Sequence, residues 1–214
     1  MLDSATIAAI STPPGQGGLG VIRVSGPDAR AIATQVFRPA RGRPLSLTPK
    51  RSHRVFYGQI VDPVSQASID DVLLTWFASP QSYTTEDTVE ISCHGGRLPL
   101  HETLRVVIAA GARHAEPGEF TLRAFLNGRL DLAQAEAVLD VISARTAEGL
   151  HLALGDLGGD LTRRLQPARD AIVSLLAYLD AASDFPNDEI PATDIDADLA
   201  VALSALASVV AGSR

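Results

Sequence analysis

The chain changes its hydrophobic rhythm a little past half-way. Up to about residue 119, apolar and polar residues alternate in short runs bounded by Gly and Pro, at 6–11, 20–25, 53–61, 70–78 and 87–93. A period of two over so few residues, closed by turn formers, predicts β-strands. Two intervening stretches carry a helical period instead. Residues 27–37 open on a proline suited to a first helical turn and place Ala29, Ile32 and Val36 on one face. Residues 96–111 place Leu100, Leu104, Val107 and Ile108 on one face and close on a glycine. Strands and helices without regular β-α-β alternation predict an α+β domain over 1–119.

From 120 to 214 the pattern is helical. Leu161, Leu165, Ala168, Ile172, Leu175 and Leu179 step by fours and threes, as a bundle seam does. Before them Leu132, Leu139, Ile142, Thr146, Leu150, Leu154 and Leu157 keep helical spacing, and Gly158-Gly159 is expected to bend or divide the pair. After them come Leu199, Leu203, Leu206 and Val210. The stretch 183–194, with Pro186, Pro191 and several acids, reads as the loop before the last helix. Three seams in so short a region call for partners. Apolar stripes on the last helices are therefore expected to be exposed or covered by another chain.

Composition narrows the class. With 46% hydrophobic and 20% charged residues among 214, the chain can bury a real core. Its net charge of −7 makes the whole chain no magnet for nucleic acid, so an RNA contact needs a local basic patch or a partner. Cys93 is the only cysteine, which excludes an internal disulfide and a CxxC metal site. The N-terminus lacks the basic and apolar segments of a signal peptide, and no run reaches the roughly 18 apolar residues of a membrane span. A cytoplasmic location is expected.

The candidate chemistry begins in "TPPGQGGLGVIRVSG". Gly15, Gly17 and Gly20 spell G-x-G-x-x-G, but a dinucleotide turn needs a helix after it, and here a strand follows. The acid expected roughly 20 residues on is missing, where the chain reads "RPARGRP". A P-loop reading also fails, because Val21-Ile22 stands where Lys-Ser/Thr is required. Two readings stay open: a turn between antiparallel strands, or a loop whose missing Cβ atoms admit a bound ring system.

Arg23 shares its strand face with Val21 and Ser25, and is either solvated or reaching for an anion. Glu90, between Val89 and Ile91, is either solvated or accepts an N–H pair from a heterocycle. Cys93 and His94 are adjacent and point to opposite faces of a strand, so they form no nucleophile–base pair there. Cys93 reads as a small buried group, and His94 as a strand-to-helix turn. Asp194, Asp196 and Asp198 resemble the start of a calcium loop, but Leu199 and Ala205 occupy its sixth and twelfth positions. These acids favour a helix N-terminus instead. No catalytic residue and no metal ligand set emerges.

Four stretches go further together. "TPPGQGGLGVIRVSG", "TTEDTVEISCHGG", "EPGEFTLRAFLNGRLDLAQAEAVLDVISA" and "DFPNDEI" occur in this order, and the chain resembles, over nearly its whole length, the N-terminal portion of the tRNA-modification GTPase family MnmE (TrmE). The resemblance implies an N-terminal domain folded like one-carbon folate enzymes such as the glycine-cleavage T-protein. That domain binds a 5-formyl-tetrahydrofolate-type cofactor and forms a homodimer. It further implies a helical domain into which a Ras-like G domain is inserted. With an FAD-dependent MnmG-type partner, the family adds an aminomethyl or carboxymethylaminomethyl group to C5 of the tRNA wobble uridine. GTP hydrolysis, with potassium and magnesium at the G domain, is coupled to this.

The resemblance implies three folate contacts by motif position: Arg23, Glu90 and Arg129, the last standing where the family often has a lysine and keeping its positive charge. The 214 residues contain no G-x-x-x-x-G-K-[ST] and no Cys-Ile-Gly-Lys ending, so this stretch is expected to belong to something longer or shortened and to lack GTPase activity by itself. The alternative is a stand-alone T-protein-like one-carbon transferase, for which Glu90 is the one acid in reach of the folate.

Overall fold

The alternating runs form a single seven-stranded sheet in the order β3-β4-β5-β6-β2-β1-β7. Its strands are β1 (Ile7–Ile10), β2 (Gly20–Ser25), β3 (Phe37–Pro39), β4 (Arg54–Val61), β5 (Ser68–Phe77), β6 (Thr88–Cys93) and β7 (Arg113–His114). Every neighbouring pair is antiparallel except β1 with β7, which is parallel. The computed structural model describes residues 5–40, 44–184 and 194–211. The chain divides into two compact units, one ending at Leu130 and the other starting at Asp131.

In the first unit, helices α1 (Ala29–Val36) and α2 (Arg97–Ala109) supply apolar faces to the core beneath them. Strand alternation sends Ile22, Val24, Val72, Leu74, Trp76, Val89 and Ile91 into that core, all essentially without exposure. Each such burial contributes roughly 1.5–3 kcal/mol. Cys93 lies on the same side, and burial pushes its thiol up to about 11. The opposite sheet face carries a row across four strands, Val55, Thr75, Glu90 and Arg23, set by register. Beside it, Tyr57 pairs with Leu73, and Val55, Tyr57 and Leu73 are all exposed.

α3 (Glu119–Leu126) belongs by its contacts to this first unit, although the helical sequence pattern already starts near residue 119.

The second unit holds α4 (Leu132–Ser143), α5 (Ala147–Leu157), α6 (Asp160–Asp184) and α7 (Ile195–Ala211). The run from Leu132 to Leu157, continuous in its spacing, is two helices. Ala144 turns extended, and the Thr146 hydroxyl accepts the Gly149 N–H at 3.0 Å to start the second. α4 itself begins in a capping box between Asp131 and Gln134. Gly159, at φ +85°, divides α5 from α6, as its sequence position predicts.

α6 meets α7 through Ala168, Ala171 and Ala202, with Ala205 packed against them. Ile172 and Leu179, expected in that seam, are exposed; the small alanines take the contact, and the seam is turned toward Ala171. Leu176, Leu203 and Val210 are exposed too, so the last helices carry the expected apolar stripes. Of the loop predicted over 183–194, Ser183 and Asp184 complete α6, and 185–193 lie outside the described residues. Asp194 caps α7, accepting the Ala197 N–H at 3.0 Å. Among the described residues no helix is long and apolar enough to cross a membrane.

Candidate functional site

Antiparallel register sets Arg23 on β2 directly opposite Glu90 on β6. The guanidinium faces one carboxylate oxygen: Nε donates to Oε1 at 2.9 Å, and Nη2 stands 2.8 Å from the same oxygen in an ion pair. Oε2 takes no partner among the described residues. The two side chains are 25% and 28% exposed, and a pair so wet adds little stability. Its consequence is orientation: a carboxylate held still with one oxygen left to accept an N–H.

Glu90 lines a cavity of about 840 Å³ together with Phe77, Tyr83, Asn127 and Arg129. Arg129 arrives there by a turn. After α3, Gly128 takes φ +75°, a left-handed conformation that costs glycine little. The N–H groups of Gly128 and Arg129 donate back to Phe125 O and Ala124 O, each at 2.9 Å. The chain reverses, and Arg129 Nη1 donates to Tyr83 O at 2.8 Å. The Arg129 guanidinium lies 5.0 Å from the centroid of the Tyr83 ring. Arg23 lies 5.1 Å from the same centroid and 5.5 Å from that of Phe120. Glu90 and Arg129 thus share one cavity, and Arg23 reaches it through Glu90 and Tyr83.

The wall carrying Tyr83 is the β5–β6 loop, and a buried ionic network ties it to α3. Glu119 and Arg123, four residues apart on α3, are 3% and 4% exposed. Arg113 grips Glu119 bidentately, Nη1 to Oε2 at 2.8 Å and Nη2 to Oε1 at 2.6 Å. Arg123 Nη1 donates to both oxygens of Glu86 at 3.1 Å, and Nη2 donates to Ala5 O at 2.9 Å. The Arg113 hydrogen bonds come first among the effects that lower the Glu119 carboxyl to about 2, against the opposing cost of burial. One turn on, Asn127 Nδ2 donates to Thr84 O at 2.7 Å. Sequence reasoning missed this network, although Glu119 and Arg123 stand at an ion-pairing helical spacing.

The glycine loop lies between β1 and β2, a turn joining antiparallel strands. It borders a different cavity, of about 490 Å³, with Pro13, Pro14, Arg97 and Leu100 in its walls, and does not line the one that holds Glu90 and Arg129. Among its glycines, Gly20 is the one that close packing requires. Gly17 N–H donates to Gly95 O at 3.1 Å, and a Cβ on Gly20 would stand 2.6 Å from a Leu100 methyl carbon.

His94 sits at the strand-to-helix turn. Asp70 accepts its backbone N–H at 2.8 Å and its Nδ1–H at 2.5 Å. The hydrogen bond to Asp70, ahead of the plain charge attraction, raises the imidazole above its ordinary value. A raised histidine stabilises the fold below its unfolded pKa, and that support is lost as pH rises through the folded pKa. In an NMR titration His94 is expected to titrate above a free imidazole, and Asp70→Asn to bring it down; an unchanged His94 in Asp70→Asn overturns the assignment.

A sheet domain bearing an arginine–glutamate cavity, followed by a separate helical unit, is the class of protein that fold and site define. Two family models divide the chain in the same way. One described as "GTP-binding protein TrmE N-terminus" matches residues 6–129, and one described as "MnmE helical domain" matches 132–213. The chain belongs to the MnmE (TrmE) family of tRNA modification GTPases. It is similar to the "tRNA modification GTPase MnmE" of Chloroflexus aurantiacus, 54% identical over 97% of this chain and 45% of that relative. The relative of the same name from Heliobacterium modesticaldum is 52% identical over 87% of this chain and 40% of its own length. That from Roseiflexus sp. strain RS-1 is 48% identical over 100% of this chain and 45% of its own. The chain spans less than half the length of these curated relatives.

Proposed function

We propose that this chain supplies the folate-binding and dimer-forming part of a tRNA modification GTPase. The observation that carries the reading is one cavity of about 840 Å³ lined by both Glu90 and Arg129, with Arg23 held against Glu90 and the Tyr83 ring behind it. That volume lies in the range of pockets that enclose a drug-sized ligand, ~300–1,000 Å³. The residues present fit a 5-formyl-tetrahydrofolate-type cofactor. A pterin offers N–H donors, and Glu90 Oε2 is an acceptor already aimed by Arg23. The glutamate tail is an anion, and Arg129 is a cation in the same cavity. When bound, the cofactor supplies a one-carbon unit. This chain's own residues bind and orient it.

The remaining parts of the reading follow from family membership. The whole protein, in the cytoplasm and with an FAD-dependent MnmG-type partner, installs an aminomethyl or carboxymethylaminomethyl group on C5 of the tRNA wobble uridine. GTP hydrolysis with potassium and magnesium drives that work. Because no G-x-x-x-x-G-K-[ST] occurs in the 214 residues, we assign hydrolysis to other parts of the whole protein. Exposed Val55, Tyr57 and Leu73, beside the site on the sheet face opposite α1 and α2, support pairing with a second copy through this domain.

Isothermal titration with 5-formyl-tetrahydrofolate tests the cofactor. Saturable binding is expected, weakened at least about tenfold in Glu90→Gln, because a hydrogen bond to a charged acceptor is worth about 1.5–3 kcal/mol. Absence of saturable binding to the native chain rejects the folate reading. Unchanged affinity in Glu90→Gln rejects the pterin role of Glu90 alone.

A further inference from the structure

We propose that Tyr83 is a positioning residue for the cavity: it holds the guanidinium groups of both Arg23 and Arg129 in the places from which they act. Its bearing on ligand affinity rests on the folate reading above; the placement of the two arginines does not.

The contacts of Arg129 carry the argument. Among the described residues this side chain makes no ion pair, and its anchors are the Tyr83 carbonyl at 2.8 Å and the Tyr83 ring at 5.0 Å. An arginine side chain carries roughly 2 kcal/mol of rotamer entropy, so one fixed at a cavity wall needs something to fix it. Here both anchors belong to one residue.

Arg23 meets the same ring at 5.1 Å and so shares it with Arg129. Two cations about one ring repel each other, and the negative π face attracts both, offsetting that repulsion where water is partly excluded. Tyr83 is itself held from two sides. Its hydroxyl shares a 2.9 Å hydrogen bond with Thr121 Oγ1 on α3, and the next residue, Thr84, receives Asn127 Nδ2 at 2.7 Å. The ring is therefore a fixed platform between the arginine that orients Glu90 and the arginine that faces an anionic tail. It sets the distance between the two ends of the ligand the cavity accepts.

Two variants separate this role from simple wall-filling. Tyr83→Phe keeps the π face and loses the hydroxyl; Tyr83→Leu keeps apolar bulk and loses the π face. In the ligand-free protein, side-chain nitrogen relaxation is expected to report fixed Nε–H groups on Arg23 and Arg129 in the native chain and in Tyr83→Phe. In Tyr83→Leu the Nε–H of Arg129, and to a lesser degree that of Arg23, which Glu90 also holds, is expected to become mobile while Trp76 fluorescence stays native. Titration with 5-formyl-tetrahydrofolate then reads the consequence: Tyr83→Phe binds like the native chain, and Tyr83→Leu binds about three- to tenfold more weakly. That loss shrinks in an Arg129→Met background, because the two residues act as one unit. An Arg129 Nε–H as rigid in Tyr83→Leu as in the native chain overturns the proposal, whatever the titration shows. Mobility gained as expected, in a native chain that binds no folate, upholds the positioning role and rejects the folate reading instead.

Discussion

Arg123→Met lowers the stability of the first unit by about 3–5 kcal/mol, the usual cost of removing one partner from a buried ion pair. The guanidinium serves two carboxylates and a backbone carbonyl: Glu119, Glu86 and Ala5 O. Methionine fills similar space and donates nothing. Glu86 then keeps Ser25, whose hydroxyl donates at 2.8 Å, and has lost its cation. Glu119 keeps Arg113 but, at 3% exposure, has lost part of the field that ionises it.

The pH dependence follows from the same contacts. A carboxyl held at about 2 in the fold, against an ordinary 4.5, stabilises the fold above 4.5; that stability is lost as pH falls through the interval toward 2. In Arg123→Met the folded value rises toward the ordinary one, so less of this support exists at neutral pH. Trp76 is the only tryptophan and is 1% exposed in the core, so its fluorescence reports unfolding of this unit in denaturant. A midpoint shift worth under about 1 kcal/mol would show that the network is no stronger than a surface pair.

Gly95→Ala is the second large effect. A Cβ there stands 2.5 Å from Gly17 O and 2.7 Å from Leu19 O. Both are backbone atoms, so no side chain can swing aside. Either β6 or the glycine loop must move, at about 1–3 kcal/mol for overpacking, and the Gly17-to-Gly95 hydrogen bond goes with it. Amide exchange at Gly17 is expected to accelerate sharply, while Ile22 and Ile91 on the paired strands stay protected. Unchanged protection at Gly17 is the result that refutes close packing as the reason for glycine at 95.

This also answers what the sequence motif means. G-x-G-x-x-G is a phosphate signal when a helix follows it; here Gly20 makes room for Leu100, and it is Gly95, outside the motif, whose missing Cβ lets the loop backbone lie close. The strand that disqualifies the motif was readable from "VIRVSG". Its packing partner, Gly95, stands too far along the chain for any local pattern to show. The same limit governs the site. Alternation placed Arg23 and Glu90 off the core face of their strands, but 67 residues separate them, and only sheet order makes them neighbours. Tyr83 lies in a loop, which has no period to read, and Arg129 reaches the cavity through the left-handed turn at Gly128. β3 and β7 are three and two residues long, too short to display alternation. The α4–α5 break was hidden because apolar spacing runs on through it. The signal that marks it is the capping threonine at 146, not the hydrophobic pattern.

The order of the sheet has a kinetic meaning. β4, β5 and β6 follow one another as a meander, whereas β2 joins β6 only by closing the long stretch between them. Loop-closure entropy makes that closure the slower event. A chain with its meander formed but β2 undocked has Glu90 in place and no Arg23 to aim it. On the proposed folate reading, affinity for the cofactor is withheld from half-folded chains and granted when the last strand arrives. A ligand that binds only then draws the folding equilibrium toward completion by mass action.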